Sequence, residues 1–364
     1  MTRTFGRYTR RIFIANLGAM VVGFSGLMLL FDLLNNAYGL LSRHGESIWV
    51  LIRYSGLRLP EIVGFLLPFA TLLATLLTLS RLAQNNEILA AKAAGLSFYR
   101  ILAGLIPVAI FLAAANFILV DRVNPRTQRI LTEWDAESRA VAEQGDPSDT
   151  TGIWIRDGAS PVRVSIVLND GRELHDVTIF ARDEGGNLTR RITADVAIYD
   201  GDGRWQLYGV EELVMHRYAG GEFFRRPTDT WEGTLRPSHY ADVVAPPQSL
   251  TLAQLSAFTR NDTEVGNRPA YFYETWLQKR YAAPFAVLIM VILAAPIAQT
   301  MGRTHRVALG LAAGVGMGFL YFVAEGICQA LGEAGAIPAV VAAWSPGLLF
   351  LSFGFAGLIR IEGY

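Results

Sequence analysis

The chain has 364 residues, equal numbers of basic and acidic residues (32 of each) and 52% hydrophobic residues, with a positive mean hydropathy. That is too apolar for an ordinary soluble protein, and the charge balance offers nothing to a nucleic-acid partner. The single cysteine, Cys328, lies in an apolar run, which excludes a disulfide framework or a cysteine metal site built from this chain.

Six apolar runs reach the roughly 17 to 25 residues that a bilayer requires. They cover 12–34, 59–79, 98–120, 281–300, 307–331 and 337–359. The first is too long for the core of a signal peptide and reads as a retained helix. Basic residues of the short loops set the orientation. One side carries Arg3, Arg7, Arg10, Arg11, Arg81, Lys92, Arg100, Arg303, Arg306 and Arg360, and the other only Arg43, Arg53 and Arg58. Both termini are thus expected in the cytoplasm and the long segment after the third run outside.

The first hairpin on the cytoplasmic side is "RLAQNNEILAAKAAGLS", 81–97. Asn85 or Asn86 can cap a helix start, Glu87 then stands in the first turn where the helix dipole favours an acid, and Gly95 closes the end. Ile88, Ala91, Lys92 and Gly95 share one face of that helix. Spacing alone leaves two readings, a protrusion for a soluble partner's groove and a helix lying on the headgroups.

Between about 124 and 268 the pattern changes to period-two alternation, as in "VRVSIVL" (162–168), "VTIFAR" (177–182) and "RWQLYGVEELVMHRY" (204–218). Turn signals at Asn169 to Gly171, Gly185 to Asn187, Asp200 to Gly203 and Gly220 to Gly221 separate the strands. An all-β sandwich or open barrel is expected, preceded by a polar helix near 128–143 and followed by a linker with Pro246 and Pro247. "DGDGRWQLYGVE" places acids at calcium-loop positions, but Trp205 occupies the required central glycine and Arg204 the fifth ligand, so it reads as a hairpin turn. His44, His175, His216, His239 and His305 have no zinc-protease spacing, and there is neither a Gly-x-Ser-x-Gly elbow nor a phosphate-binding loop.

"LSRLAQNNEILAAKAAGLS" (79–97) resembles a motif of the LptF/LptG family, the paired permeases of the lipopolysaccharide exporter: a leucine, a Ser-Glu pair, hydrophobic residues, then Gly-hydrophobic-Ser. Asn86 replaces the usual serine before Glu87. The resemblance extends over the whole chain, and "GIWIRDG" (152–158) with "RPAYFYETWLQKRYAAPFAVL" (268–288) is closer to the LptG branch than to LptF. It implies an α+β membrane protein in the bacterial inner membrane, with transmembrane segments 1–123 and 269–364 around a periplasmic β-jellyroll-like domain, 124–268. It also implies a coupling helix over 84–96 in which Glu87, Ile88, Ala91 and Gly95 meet an LptB-like ATPase dimer. ATP and Mg²⁺ would be bound there and not in this chain. An LptF-like permease, an LptC-like single-span protein and lipopolysaccharide complete the expected partners. An LptF-like identity is the alternative within the family, and a membrane-anchored periplasmic hydrolase the alternative outside it.

Lipid A presents phosphates and acyl chains, so cations at the outer rim are candidate contacts. These are Arg122, Arg126, Lys279 and Arg280, each equally readable as an interfacial anchor. Family members carry lysines near the outer end of the first span where this chain has Leu29, Asn35 and Asn36. Asp32 and Glu325 are acids within spans, readable as functional groups or as structural hydrogen-bond partners. Gly310, Gly314 and Gly318 form small-xxx-small steps on the fifth span. The resemblance makes the first and fifth spans gates against LptF; packing within the subunit is the other reading.

Overall fold

The computed structural model describes residues 2–44, 47–142, 152–157, 160–183, 186–216, 220–233, 236–237, 240, 246–260, 268–304 and 307–362. Glu143, Gly158, Gly185, Arg217, Tyr218, His239, His305 and Arg306, cited above, lie outside them. The chain divides into a membrane unit, Met1–Tyr38 with Leu51–Asn124 and Glu274–Tyr364, and a second unit, Gly39–Val50 with Pro125–Tyr273.

The molecule is an α+β membrane protein. Among the described residues six helices are long and apolar enough to cross a bilayer: Thr4–Ser42, Ile48–Gln84, Phe98–Thr132, Ala270–Gln299, Leu309–Glu333 and Ala339–Arg360. Several outrun the apolar segments because backbone bonding continues into polar flanks. The first helix, Thr2–His44, is 43 residues long, about 65 Å at 1.5 Å per residue.

The second span is the axis of the membrane unit: 72% of its apolar window is buried, against 11% for the first span. Leu72, Leu76 and Leu79 of the second span share one core with Phe13, Leu105, Val287, Met290 and Ala294. Three buried threonines on the same span remain compatible with that core by donating to carbonyls four residues back: Thr71 to Leu67, Thr75 to Thr71 and Thr78 to Ala74, each 2.7 Å. Thr78 Oγ1 also accepts from Asn16 Nδ2 at 2.9 Å, tying the first span to the second.

The third span is interrupted twice. Phe98–Ala103 and Ile106–Ile118 are separated at Gly104, and a π-helical turn, Leu119–Val123, precedes the helix Asn124–Ala142. The fifth and sixth spans are joined tightly through Gly335 in the left-handed region (φ 72), with Ala336 N–H donating to Leu331 O at 2.9 Å.

In the second unit the alternation that admits a sandwich or an open barrel is realised as one antiparallel sheet. Its strands are β1 (Ile153–Asp157), β2 (Ser160–Val164), β3 (Ile166–Leu168), β4 (Glu173–Arg182), β5 (Leu188–Gly201), β6 (Arg204–His216) and β7 (Gly220–Glu232). They bond in the order β1-β2-β4-β5-β6-β7, with β3 also on β4. β2 and β3 are one strand interrupted at Ser165, whose N–H reaches His175 O at 3.1 Å. Val162, Leu174, Val177, Ile179, Trp205 and Leu207 form the core of one face. Tyr240 packs edge-on to Trp205, with ring centroids 5.2 Å apart, and burial pushes its phenol above the usual range. The calcium-loop candidate is a two-residue hairpin in which Asp202 and Gly203 both have positive φ (51 and 81), as a primed turn demands. At Gly209 (φ 64) a side chain would run into the Asp195 carboxylate, so only glycine fits.

Candidate functional site

The hairpin helix is Glu87–Ala93. Asn86 stands at its start, but in the left-handed conformation (φ 57) and without a side-chain cap. The capping expected of Asn85 or Asn86 is therefore absent; Asn85 Nδ2 donates instead to Glu87 Oε1 at 3.3 Å. Tyr8 of the first helix donates its hydroxyl to the same oxygen at 3.3 Å, so the acid is held from two sides. Gly95 does close the helix as expected: it takes φ 83, its N–H reaches Lys92 O at 2.9 Å, and Leu96 N–H reaches Ala91 O at 3.0 Å.

The face expected to meet a partner is divided. Ala91 is buried and Ile88 half-buried against the membrane unit's own core, while Lys92 and Gly95 are exposed. The large apolar side chain presented outward is Leu89, 66% exposed, flanked by exposed Ala90, Ala93 and Ala94. Apolar residues occur all round this short helix, so periodicity could not distinguish its inner from its outer face.

Each acid within a span has partners. Asp32 Oδ2 accepts from Tyr54 OH at 2.7 Å and faces Arg58 Nε at 3.5 Å, and Arg58 also pairs with Glu61. Asn36 Nδ2 donates to Asp32 O at 2.9 Å. These contacts join the first span to the second. Glu325 of the fifth span lies 3.3 Å from Lys279 Nζ of the fourth, Lys279 also donates to Gln329, and Gln329 Nε2 donates to Glu333 at 2.7 Å. The small pocket there is lined by Thr275, Lys279, Tyr321, Glu325 and Gln329 together with alanines of the fourth and sixth spans.

The four rim cations separate accordingly. Arg122 and Arg126 are exposed. Lys279 is engaged by the fifth span, and Arg280 is buried at 4% exposure with its guanidinium on the carbonyl of Val120. Arg280 therefore lacks the accessibility that a lipid-phosphate contact needs. The glycine stripe also faces inward: a Cβ on Gly314 would collide with Leu76, and one on Gly318 would lie 2.7 Å from Phe69 and 2.8 Å from Leu72, all on the second span. Gly310 is half-buried. Among the described residues no cluster of His, Cys, Asp and Glu has metal-binding geometry.

The family profile described as lipopolysaccharide export system permease LptF/LptG matches residues 7–360. The chain belongs to the LptF/LptG family. It is 26% identical to the lipopolysaccharide export system permease protein LptG of Haemophilus influenzae, over 96% of this chain and 97% of that protein. It is 25% identical to LptG of Escherichia coli K12, over 94% of this chain and 93% of that protein. LptF of the same strain is 24% identical over 82% and 79%. Similarity to LptG thus covers more of both chains, and this LptF/LptG-family member is LptG-like. Sequence reading missed Tyr8, Leu89, Tyr54 and Arg58. Arg58 and Glu61, three residues apart in an apolar stretch, were the available signal for the cluster around Asp32; the π turn left none.

Proposed function

We propose that this LptG-like permease is one half of the membrane channel of an ATP-binding-cassette exporter that extracts lipopolysaccharide from the inner membrane and passes it toward the outer membrane. The observation that carries the reading is the full-length family match combined with the exposed Leu89 beside the doubly held Glu87 on a helix between spans. An apolar knob next to an acid suits a groove in a soluble ATPase that offers a basic residue. The chain carries no phosphate-binding loop of its own, so ATP and Mg²⁺ would bind to an LptB-like dimer. An LptF-like permease would complete the channel, and an LptC-like single-span protein would receive the lipid.

The excess of basic residues at the termini and on the hairpin supports cytoplasmic termini and a periplasmic β unit. Of the four rim cations, Arg122 and Arg126 are the exposed ones and would be available to lipid phosphates. The test is to tag the chain, extract it from membranes and identify what copurifies. A phosphate-loop ATPase and a second six-span permease are expected in stoichiometric amounts; their absence overturns the proposal.

A further inference from the structure

The buried Arg280 and the π turn of the third span explain one another. A π turn carries one more residue than the α register accommodates, which leaves a carbonyl outside the regular bonding series. Here the Val120 carbonyl receives the Arg280 guanidinium from the fourth span. A permanent charge at 4% exposure is very unfavourable unless polar groups surround it. Two are supplied by the turn itself: the Val120 carbonyl accepts from the guanidinium, and Asp121 acts electrostatically on it. On the other flank, Gly64 of the second span lets the turn come close, since a Cβ there would lie 3.0 Å from Val120 Cγ2 and 3.6 Å from both Asn116 Oδ1 and Asn124 Nδ2.

The location gives this arrangement a use. Two of the four boundaries between the compact units fall at Asn124/Pro125 and Tyr273/Glu274, just beyond the turn on one helix and just before Arg280 on the other. We infer that Arg280 is a positioning residue for transport: by holding the π turn it fixes the register of the third span against the fourth, where the chain leaves and re-enters the membrane unit, so that the two helices move together.

The test uses the complete exporter complex and three variants, Arg280→Lys, Arg280→Met and deletion of Val120. Nitroxides at the exposed Arg122 and Tyr281 report the distance between the two helices. The parental complex and Arg280→Lys are expected to give one narrow distance distribution and Arg280→Met a broad one. Deleting Val120 removes the extra residue, so the flanking segments rejoin in an α register and give a narrow distribution displaced by the loss of the bulge. Combining the deletion with Arg280→Met should recover the yield lost by Arg280→Met alone, because the Val120 carbonyl that Arg280 satisfied is then gone.

The transport readout rests on the export function proposed above. Lipid released per ATP hydrolysed should fall by about tenfold in Arg280→Met and in the deletion, within the range of a coupling free energy, while the ATPase stays bound. A parental distance distribution in Arg280→Met overturns the inference. So does a loss of yield with unchanged release per ATP, the signature of a purely structural residue. Failure of the export reading is distinguishable, because the parental complex would then release no lipid while the distance measurement still decides the joint.

Discussion

Gly314 of the fifth span lies directly against Leu76 of the second, too close for even a β-carbon between them. Gly318 repeats the arrangement against Phe69 and Leu72. Small residues at four-residue spacing thus bring two helices of one subunit together, and the stripe is spent on internal packing. The fifth span turns a different surface outward, with Leu309, Val315, Phe319, Leu320, Val323 and Ile327 all exposed.

Gly314→Leu should therefore act on folding. Overpacking of this kind destabilises by about 1–3 kcal/mol, so the variant should give less folded subunit and a lower melting temperature by fluorescence-detected chromatography. Gly316→Leu is the control, because a β-carbon there meets nothing within 4 Å. Per folded complex, ATP turnover and lipid release should fall together in Gly314→Leu. Selective uncoupling would restore the gate reading.

The division of the hairpin helix predicts opposite phenotypes from adjacent residues. Leu89→Asp should leave the subunit folded but abolish copurification of the ATPase, and Glu87→Ala should weaken it by about 1.5–3 kcal/mol if the contact is desolvated. Ala91→Phe should instead reduce the yield of folded subunit, since Ala91 is part of the membrane core. Pull-down stoichiometry, read beside the chromatographic profile of the subunit alone, checks all three.

Lys279 and Glu325 predict a charge cycle. Glu325→Ala leaves the ammonium with Gln329 and should destabilise by about 1.5–3 kcal/mol, the range for a hydrogen bond to a charged group. Lys279→Met together with Glu325→Leu should be closer to the parent than either single change, because it removes both charges at once. Thermal melting of the parent, Lys279→Met, Glu325→Leu and the double variant in the same lipid gives the coupling directly.

Orientation can be checked after Cys328→Ala removes the native thiol. Glu222→Cys, on the exposed β7, should react with a membrane-impermeant maleimide in spheroplasts, whereas Gln84→Cys should react only after permeabilisation. The reverse pattern would invert the topology and remove the basis for export.

Those features of the fold that follow from long averages were legible in the sequence. Twenty apolar residues announce a span whatever their neighbours, and alternation in 162–168 or 204–216, even broken at Ser165 and Gly209, announces a strand. The side on which a residue is satisfied was not. Lys279 and Arg280 are consecutive on one helix yet turn to the fifth and third spans respectively, and nothing local separates them from exposed Arg122. The same holds for Leu89 against Ile88. Asp32 is intermediate: an acid in an apolar run signals a partner, but that partner, Tyr54 OH, comes from the next helix. Asn86 shows the limit of capping rules, since a residue suited to the role took a left-handed turn and left its side chain out of the cap.

The first span has a consequence for biogenesis. With 11% of its apolar window buried inside the subunit, and with polar ties such as Asn16 to Thr78 and Asp32 to Tyr54 at separate points along it, it is held in place mainly by its affinity for hydrocarbon. Such a helix is secured by partitioning at the moment of insertion and owes little to later packing. It can exchange one neighbouring helix for another without the rest of the subunit unfolding, because lipid itself is an adequate solvent for the face laid bare.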